Sequence, residues 1–556
     1  YGSYNHMEAA GAIDIGLSPT LSLRASGHFD RKRGFGNILD YTCVMDKLGT
    51  PELAGSVPYF QPDSARKDCI MGHRGGGMIA VGQVKLRWRP TDDIDVILTA
   101  RHRQEDMEET PEVALTYATV CIAGVIGAQP CNTAASSQAY LKAAYNTFGI
   151  ITGDHFLVPE RDGGRYDSYG TNCRPLLNKA GSGLPAGFPD GFCYPHDKIV
   201  HHTLFSGKLH ARLSDNVNFT AIGGYTDYAN DFTHNGDQSP LGVVVSVFKN
   251  HDEQWSGEAR FDGSLFDDRL QWVLGGFALR MVGYQDNVIA FTNNFQLSRV
   301  KGINNSKSAF FHLDYNLTDA WRVSGGARYT DSEILITIDN PQAISVLDPV
   351  GSGQNRVDWL ISTDYKIADD ILLYASAASG SRPPGVTTIV NTIRQFGPTP
   401  AEDLIAYEAG IKADLLDRRL RTNLTVFYQD YRKIASSVRG IECKNQPGDV
   451  AIWYPEIPNT PAATERCKQY PGASDPITFN TNQQISATIK GFEWEITALP
   501  VDGLRIDWSG GYNKYTSGVK TPGEVGYLAP GNHRQSEGNM HANISYAIES
   551  GIGTFT

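Results

Sequence analysis

The stretch LIAYEAGIKADLLDRRLRTNLTVFYQDYRKI, residues 404–434, decides the fold class. Within residues 420–429, apolar side chains alternate with mostly polar ones. This period of two predicts a β-strand with one apolar and one polar face. Residues 407–415 are expected to pair with this strand across the short polar connection 416–419. Because soluble β-sandwiches alternate in the same way, this hairpin alone leaves a sandwich and a membrane barrel open.

Repetition of the pattern decides between these two fold classes. The alternation recurs at residues 21–29, 84–89, 217–221, 311–317, 321–328, 492–497 and 504–509. Short connections are predicted at 17–20, 89–93, 214–216, 265–269, 318–320, 368–370, 416–419, 499–503 and 549–551. The long segments between them are 31–75, 105–197, 230–250, 282–305, 332–353, 381–402, 435–482 and 516–532. Such alternation is typical of outer-membrane barrels, which have short periplasmic turns and long extracellular loops. We therefore predict an all-β fold, a transmembrane antiparallel up-and-down β-barrel.

The composition excludes several classes of protein. No run of 18 apolar residues occurs among the 556, which excludes a transmembrane helix but not a barrel, whose strands expose every second residue to lipid. The net charge is −12, and the sequence has no basic patch with interleaved aromatic residues, which argues against a nucleic-acid partner. No G-x-S-x-G, P-loop or H-E-x-x-H motif is present. We therefore expect neither an enzyme nor a bound cofactor or metal.

The cysteines all lie in the long segments, and none has C-x-x-C spacing. They are Cys43, Cys69, Cys121, Cys131, Cys173, Cys193, Cys443 and Cys467. An even number confined to loops predicts disulfides formed in an oxidising compartment. Short loops bring their own ends together most easily, so we predict sequential pairing: Cys43–Cys69, Cys121–Cys131, Cys173–Cys193 and Cys443–Cys467. Because one long segment holds four cysteines, pairing of Cys121 with Cys173 or Cys193 remains an alternative.

Several segments resemble the barrel of TonB-dependent outer-membrane receptors. They are LFDDRLQWVLGGFALR (265–280), WRVSGGARYTD (321–331), DILLYASAASGSRPPGV (370–386), YEAGIKADLLDRRLRTNLTVFYQDYRKI (407–434) and IKGFEWEITALPVDGLRIDWSGGY (489–512). The opening, YGSYNHMEAAGAIDIGLSPTLSLRASGHFDRKRG, resembles the first hairpin that follows the plug of that family. The likeness covers the strands of nearly the whole chain and stops at the long loops.

The resemblance implies a barrel of about 22 strands whose lumen is filled by an N-terminal plug. Neither the plug nor the family's energy-coupling box is recognisable in the sequence, and about 18 strands are visible. We therefore expect residues 1–556 to be a barrel domain that is incomplete at both ends. The first strand would begin before Tyr1, and about four more would follow Ile548. Both ends of the chain are expected near the periplasmic half.

The resemblance also implies a function and its partners. The chain would belong to a receptor in the outer membrane of a Gram-negative bacterium, in contact with the lipid bilayer and lipopolysaccharide. It would take up a scarce, large ligand, with a ferric siderophore as the leading candidate, and the inner-membrane TonB complex would act through the plug. A passive porin and a TonB-dependent importer of oligosaccharides or aromatic compounds are the alternatives. The sequence leaves the oligomeric state open.

Candidate ligand-binding residues lie in the loops and at the strand tips. Arginine binds anionic chelates through charge-assisted hydrogen bonds, and tyrosine stacks on sugar or aryl groups. On this basis we predict ligand contacts for Arg74, Tyr117, Arg161, Tyr166, Arg174 and Arg382. Arg382, in the segment SRPPG, matches the strand-tip motif of the family. The simpler interpretation is a rim arginine that is solvated or paired with a neighbouring acid.

The alternation also assigns side chains to the two faces of the wall. Four polar residues are predicted to face the lumen: Arg421, Asn423, Glu493 and Glu495. Four others are predicted to face lipid: Leu424, Val426, Trp494 and Ile496. The two glutamates are expected to hydrogen-bond lumen arginines or the plug rather than to act in catalysis. The acidic run 105–109 is expected to be a solvated loop stem. His201 and His202 are adjacent in a strand, so they cannot chelate one metal ion together.

Overall fold

The computed structural model describes residues 1–54, 57, 68–112, 167–172, 197–236, 238, 240, 245–290, 295–339, 349–386, 398–399, 401–443, 451–453, 476–517, 537–550 and 553–555. The predicted ligand residues Tyr117, Arg161, Tyr166 and Arg174 lie outside these ranges, as do Cys121, Cys131, Cys173, Cys193 and Cys467. None of the described helices is long and apolar enough to cross a membrane.

One antiparallel sheet of 18 strands accounts for most of the described chain. Seventeen of its strands pair in chain order, each with the next. They are β1 (Met7–Ser18), β2 (Leu21–Lys32), β5 (Gly77–Thr91), β6 (Ile94–Glu108), β7 (Asp197–Ser214), β8 (Val217–Asn235), β9 (Val245–Leu265), β10 (Leu270–Ala290), β11 (Phe295–Asn316), β12 (Trp321–Asp339), β13 (Val350–Ala368), β14 (Ile371–Arg382), β17 (Glu402–Leu415), β18 (Leu420–Cys443), β20 (Pro476–Ala498), β21 (Leu504–Ser517) and β22 (Gly538–Tyr546). This up-and-down order is the one predicted.

The remaining elements are short and lie in the connections. Strand β19 (Ala451–Trp453) adds to β18, and three two-stranded pairs stand apart from the large sheet. These pairs join β3 (Gly36–Leu39) to β4 (Ile70–Arg74), β15 (Gly385–Val386) to β16 (Pro398–Thr399), and β23 (Ile548–Ser550) to β24 (Gly553–Phe555). The described helices are α1 (Tyr41–Lys47) and two 3-10 turns, Ser3–Asn5 and Pro51–Ala54.

The two edges of the sheet differ largely as the sequence predicts. At one edge, successive strands are joined by a few residues, and most connections at the other edge are longer. The predicted long segments 230–250, 282–305 and 332–353 are wrong in their bounds, because most of their residues extend the flanking strands; β10 ends at Ala290 and β11 already begins at Phe295.

Two of the short turns share one geometry. Leu416, Asp417 and Arg418 have φ angles of 55°, 54° and 64°, and residues 266–268 have 56°, 52° and 62°. These left-handed conformations are unusual for residues with a Cβ, and four-residue turns of this kind explain why LFDDRL and LLDRRL resemble each other.

The pairing of β18 with β20 keeps apolar and polar side chains on separate faces, as the alternation predicts. Leu424 lies opposite Trp494 and Val426 opposite Phe492, so the apolar side chains share one face. Asn423 lies opposite Glu495 on the other face. Following the pairings around the sheet, the apolar face carries large exposed side chains, among them Val84, Leu98, Phe205, Trp255, Phe261, Leu274, Phe311, Ile361, Val426 and Phe492. A soluble protein rarely exposes so continuous an apolar surface, whereas a barrel wall presents one to lipid.

The prediction that both ends of the chain lie near the periplasmic half is wrong for the N-terminal end. The amide of Arg33, just after β2, donates to the carbonyl of Tyr4 at 2.8 Å. Tyr4 therefore lies at the edge of the long connections, while β22 runs toward the edge of the short turns. Because the number of antiparallel strands that follow one another, seventeen, is odd, the start of β1 and the end of β22 lie at opposite edges of the sheet.

Candidate functional site

Several long connections fold onto one another at one edge of the sheet. The connection between β2 and β5 contains the hairpin β3–β4, helix α1 and a disulfide between Cys43 and Cys69, whose Cα atoms are 5.6 Å apart. The carboxylate of Asp40 accepts from the Cys43 amide at 3.2 Å and so caps the first turn of α1. The first predicted disulfide is thus confirmed, and it closes this connection on itself.

A buried arginine joins this connection to two others, the one between β6 and β7 and the one between β8 and β9. The guanidinium of Arg74 is 0% exposed and donates to Gln238 Oε1 at 2.6 Å and to the Gly170 carbonyl at 3.1 Å. Its Nη2 lies 3.2 Å from Glu109 Oε2. Burial lowers the pKa of Arg74, and the carboxylates of Glu109 and Glu112 oppose that shift. An arginine stays protonated in such a site, so Arg74 is a charged centre within the loops.

Backbone contacts extend this arrangement. The Leu39 amide donates to the Ser168 carbonyl, and the Ser168 amide donates to the Asn37 carbonyl, each at 2.9 Å. The rings of Tyr41 and Tyr169 meet edge to face with centroids 5.0 Å apart. Burial raises the pKa of the Tyr41 phenol. We call residues 36–48, 69–75, 109–112, 167–172, 235, 236 and 238 the loop cluster, because these contacts hold them together.

The loop cluster changes two interpretations of the sequence. Arg74 was predicted to contact ligand, but its side chain is enclosed by other loops and points away from solvent. Glu109 was expected in a solvated stem, and this expectation is wrong, since its side chain is only 8% exposed. Its Oε1 accepts from the Asn235 amide at 2.9 Å, while Oε2 faces Arg74. A carboxylate with these partners can be buried without losing its charge.

The strand-tip arginine is paired with an acid. Arg382, at the end of β14, remains 64% exposed, and its Nη2 lies 3.4 Å from Glu402 Oε1 on β17. Beside this pair, Arg356 binds Asp403 and also donates to Asp358 at 2.8 Å. Arg382 is therefore a rim arginine paired with a neighbouring acid, as the simpler interpretation of the sequence has it. Its contact with ligand stays a prediction.

The polar face of the sheet carries arginine–aspartate pairs near the short turns. The pairs are Arg87–Asp95, Arg212–Asp93, Arg322–Asp364, Arg421–Asp414 and Arg505–Asp507. Asn423 donates to Glu495 at 3.1 Å on the same face. The cross-strand register places Glu493 opposite Thr425, so all four residues predicted to face the lumen lie on one side of the wall. Charges of this density suit a water-filled interior.

Two clusters of metal-binding residue types escaped the sequence analysis. In one, Asp227, His251 and Glu253 place their ligand atoms within 4.8 Å of one another. His6, Glu8 and Asp30 do so in the other. Within a strand, a His-x-Glu spacing puts both side chains on one face, and this spacing at 251–253 was the available signal. The acid on the neighbouring strand becomes visible only once the register is known.

The disulfide predictions can be tested by mapping peptides without reduction. We expect the Cys43–Cys69 peptide pair, together with the pairs Cys121–Cys131, Cys173–Cys193 and Cys443–Cys467. Each would shorten the free part of a long connection and so reduce the entropy lost when a ligand binds. A peptide that links Cys121 to Cys173 or Cys193 would contradict pairing by proximity in sequence. Samples alkylated before denaturation provide the control against exchange during digestion.

Comparisons with known proteins agree with this architecture. The family described as TonB dependent receptor-like, beta-barrel, matches residues 135–540. The ferric yersiniabactin uptake receptor FyuA from Yersinia pestis superposes with a TM-score of 0.59 at 14% identity, covering 99% of this chain and 65% of that receptor. The alcaligin outer-membrane receptor FauA from Bordetella pertussis superposes with a TM-score of 0.53 at 10% identity, covering 100% of this chain and 65% of that receptor. The siderophore receptor PiuA from Acinetobacter baumannii superposes with a TM-score of 0.54 at 12% identity, covering 92% of this chain and 62% of that receptor.

These identities are low, so the superpositions show a shared fold. The chain spans just under two thirds of the length of each of the three receptors. The family match, by contrast, covers well over half of the chain. Together with the up-and-down sheet and its segregated connections, it shows that the chain belongs to the TonB-dependent receptor-like β-barrel family.

Proposed function

We propose that this chain is the barrel portion of an outer-membrane receptor that takes up a scarce, large ligand by TonB-dependent transport. The observation that carries the proposal is the family match over residues 135–540 on a sheet with one apolar and one charged face. Such a wall stands in lipid and encloses water. The proposed location is the outer membrane of a Gram-negative bacterium. Transport would need a plug and the inner-membrane TonB complex, as the family resemblance implies.

We propose a ferric siderophore as the ligand. One of the superposed proteins is named a siderophore receptor and another a ferric yersiniabactin uptake receptor, which supports a ferric chelate as the ligand class. Anionic ferric chelates are recognised through charge-assisted hydrogen bonds, which arginines in the long connections can donate. Arg161 and Arg174 remain the candidates for that contact. Arg382 is a third candidate at the rim, because its guanidinium is largely exposed despite its pairing with Glu402.

The loop cluster supports a role for these connections in binding. Long loops lose conformational entropy when they close on a ligand, which weakens affinity. Here Arg74 and the Cys43–Cys69 disulfide already fix part of the loop structure. Segment 113–166 lies between Glu109 and residues 167–172, so both of its ends are attached to this fixed framework. We infer that the framework presents this segment to the ligand.

Uptake of labelled ferric chelates by cells that produce the receptor tests the proposal. The full receptor, with whatever segments flank residues 1–556, should give uptake that disappears when the host's energy-coupling complex is deleted. Uptake that continues without that complex would identify a passive porin instead. A panel of oligosaccharides and aryl compounds, measured in the same cells, tests the alternative ligand classes.

A deletion of residues 113–166 tests the role assigned to the loops. We expect it to abolish chelate binding while leaving the barrel folded, because Glu109 and residues 167–172 are retained. Deleting residues 340–348, which join β12 to β13, is the control for shortening a connection that does not belong to the loop cluster. Unchanged binding after the first deletion would place the ligand site elsewhere, whatever the outcome of the uptake experiment.

A further inference from the structure

Three side chains on neighbouring strands converge on one point of the sheet. Asp227 on β8 and Glu253 on β9 are register partners, and His251 lies two residues before Glu253 on the same face. His251 Nε2 is 3.1 Å from Asp227 Oδ2. One ligand atom from each of the three residues lies within 4.8 Å of the other two. The spacing leaves room for an ion at the centre of the triad.

The two carboxylates of the triad give it a negative charge that a bound cation would neutralise. Two carboxylates directly opposite each other across antiparallel strands repel, which destabilises the pairing. Among the described residues, neither Asp227 nor Glu253 forms an ion pair with a lysine or arginine. His251, whose Nε2 faces Asp227, can offset part of this charge when it is protonated. Elsewhere in the sheet, acids on the wall are paired with arginine, as in Arg322–Asp364 and Arg421–Asp414.

The imidazole is held in place by its surroundings. The ring of His251 stacks on Tyr284, its register partner on β10, with centroids 6.4 Å apart and planes inclined by 24°. This contact leaves the ring edge with Nε2 directed toward Asp227. The side chains of His251 and Asp227 are 44% and 36% exposed, so an ion can reach them from solvent. The triad is therefore partly preorganised and accessible.

The triad lies on the apolar face of the wall. Asp227 follows Tyr225, which packs against Trp255 with ring centroids 4.4 Å apart. Counting from Val217, where β8 leaves a short turn, Asp227 is the eleventh residue of the strand. A tilted strand crosses the hydrocarbon layer in about 9–11 residues. On the proposed membrane location, this count places Asp227 at the boundary of that layer, beside an aromatic pair suited to the interface.

We propose that Asp227, His251 and Glu253 form a binding site for a divalent transition-metal ion, with zinc as the best fit. One imidazole nitrogen and two carboxylate oxygens are ligands that Zn²⁺ accepts, with a fourth position open to water. A site built from oxygen alone would suit Mg²⁺ or Ca²⁺ better, and the histidine shifts the preference. The cluster His6, Glu8 and Asp30 has similar chemistry, so it must be removed before the site is measured.

Competition with a fluorescent zinc indicator measures this site in the purified full chain in detergent. All proteins carry His6→Ala, and the variants Asp227→Asn, Glu253→Gln and His251→Ala are compared in that background. The first two keep side-chain shape, so loss of binding does not depend on misfolding. We expect each to weaken zinc affinity by about tenfold or more, equivalent to about 1.4 kcal/mol. The matched control is His201→Ala, because His201 lies on β7, on the same face of the sheet as the triad but outside it.

Cobalt substitution gives a second readout that a structural role would not alter. The visible d–d bands of bound Co²⁺ depend on its coordination number and ligands, so the spectrum of the His6→Ala protein should be lost or shifted when His251→Ala removes the imidazole. Failure of the His6→Ala protein to bind zinc would overturn the proposal, as would equal affinity in the triad variants and in His201→Ala. None of these outcomes depends on ligand uptake, so the metal site and the transport proposal fail or stand separately.

Discussion

Replacing Arg74 with alanine is expected to destabilise the loop cluster by about 3–5 kcal/mol, the cost of breaking a buried ion pair by removing one partner. The change leaves the carboxylate of Glu109 buried without its opposite charge. It also removes the donors that now reach Gln238 Oε1 and the Gly170 carbonyl. Because these groups belong to separate connections, the loss should loosen all of them together rather than one alone.

Hydrogen exchange measured by mass spectrometry can follow this change loop by loop. Protection should fall in peptides covering residues 36–48, 167–172 and 235–238, with the strands of the sheet unaffected. The control is Arg24→Ala, which removes an exposed arginine 3.7 Å from Asp14 and should cost about 0–1 kcal/mol. Equal protection in wild type and Arg74→Ala would show that the disulfide and the backbone contacts hold the cluster without the arginine.

The strands could be predicted because their signal is local. A strand with lipid on one side and water on the other alternates at every residue, as residues 420–429 do. The short turns are marked in the same way by polar residues between two alternating runs. The structure places these turns between the strands expected, for example at 416–419 between β17 and β18. The pairing of Leu424 with Trp494 keeps two apolar side chains on one face, as the alternation of each strand requires, but a slip of two residues would do the same, so the sequence alone does not fix the register.

The loop cluster could not be predicted because its contacts join distant parts of the chain. Arg74 and Gln238 are 164 residues apart, and no local pattern indicates that they meet. An arginine in a long polar connection looks the same in sequence whether it binds a ligand or a neighbouring loop. That ambiguity explains why Arg74 was assigned to ligand and Glu109 to solvent. The metal triad was not predicted for the same reason, since Asp227 meets His251 and Glu253 only through the pairing of β8 with β9.

Replacing Val426 with arginine is expected to destabilise the folded protein in a bilayer by about 2–4 kcal/mol, the cost of an arginine on the lipid face at the midplane. Val426 is 52% exposed on the apolar face, opposite Phe492. It is the seventh residue of β18, counted from the short turn. Since a strand crosses the hydrocarbon layer in about 9–11 residues, this position lies near the middle. Denaturant titration in lipid vesicles measures the free energy of unfolding.

Asn423→Arg is the matched control, because it places the same charge on the same strand but on the polar face. Asn423 already donates to Glu495 at 3.1 Å, so an arginine there gains an acidic partner in water. We expect a change of about 0–1 kcal/mol, the range for an exposed pair. The reverse result, with Asn423→Arg costly and Val426→Arg tolerated, would mean that the charged face is turned to lipid. Since Glu493 and Glu495 share that face, the assignment of lumen and lipid sides would then be inverted for the whole wall.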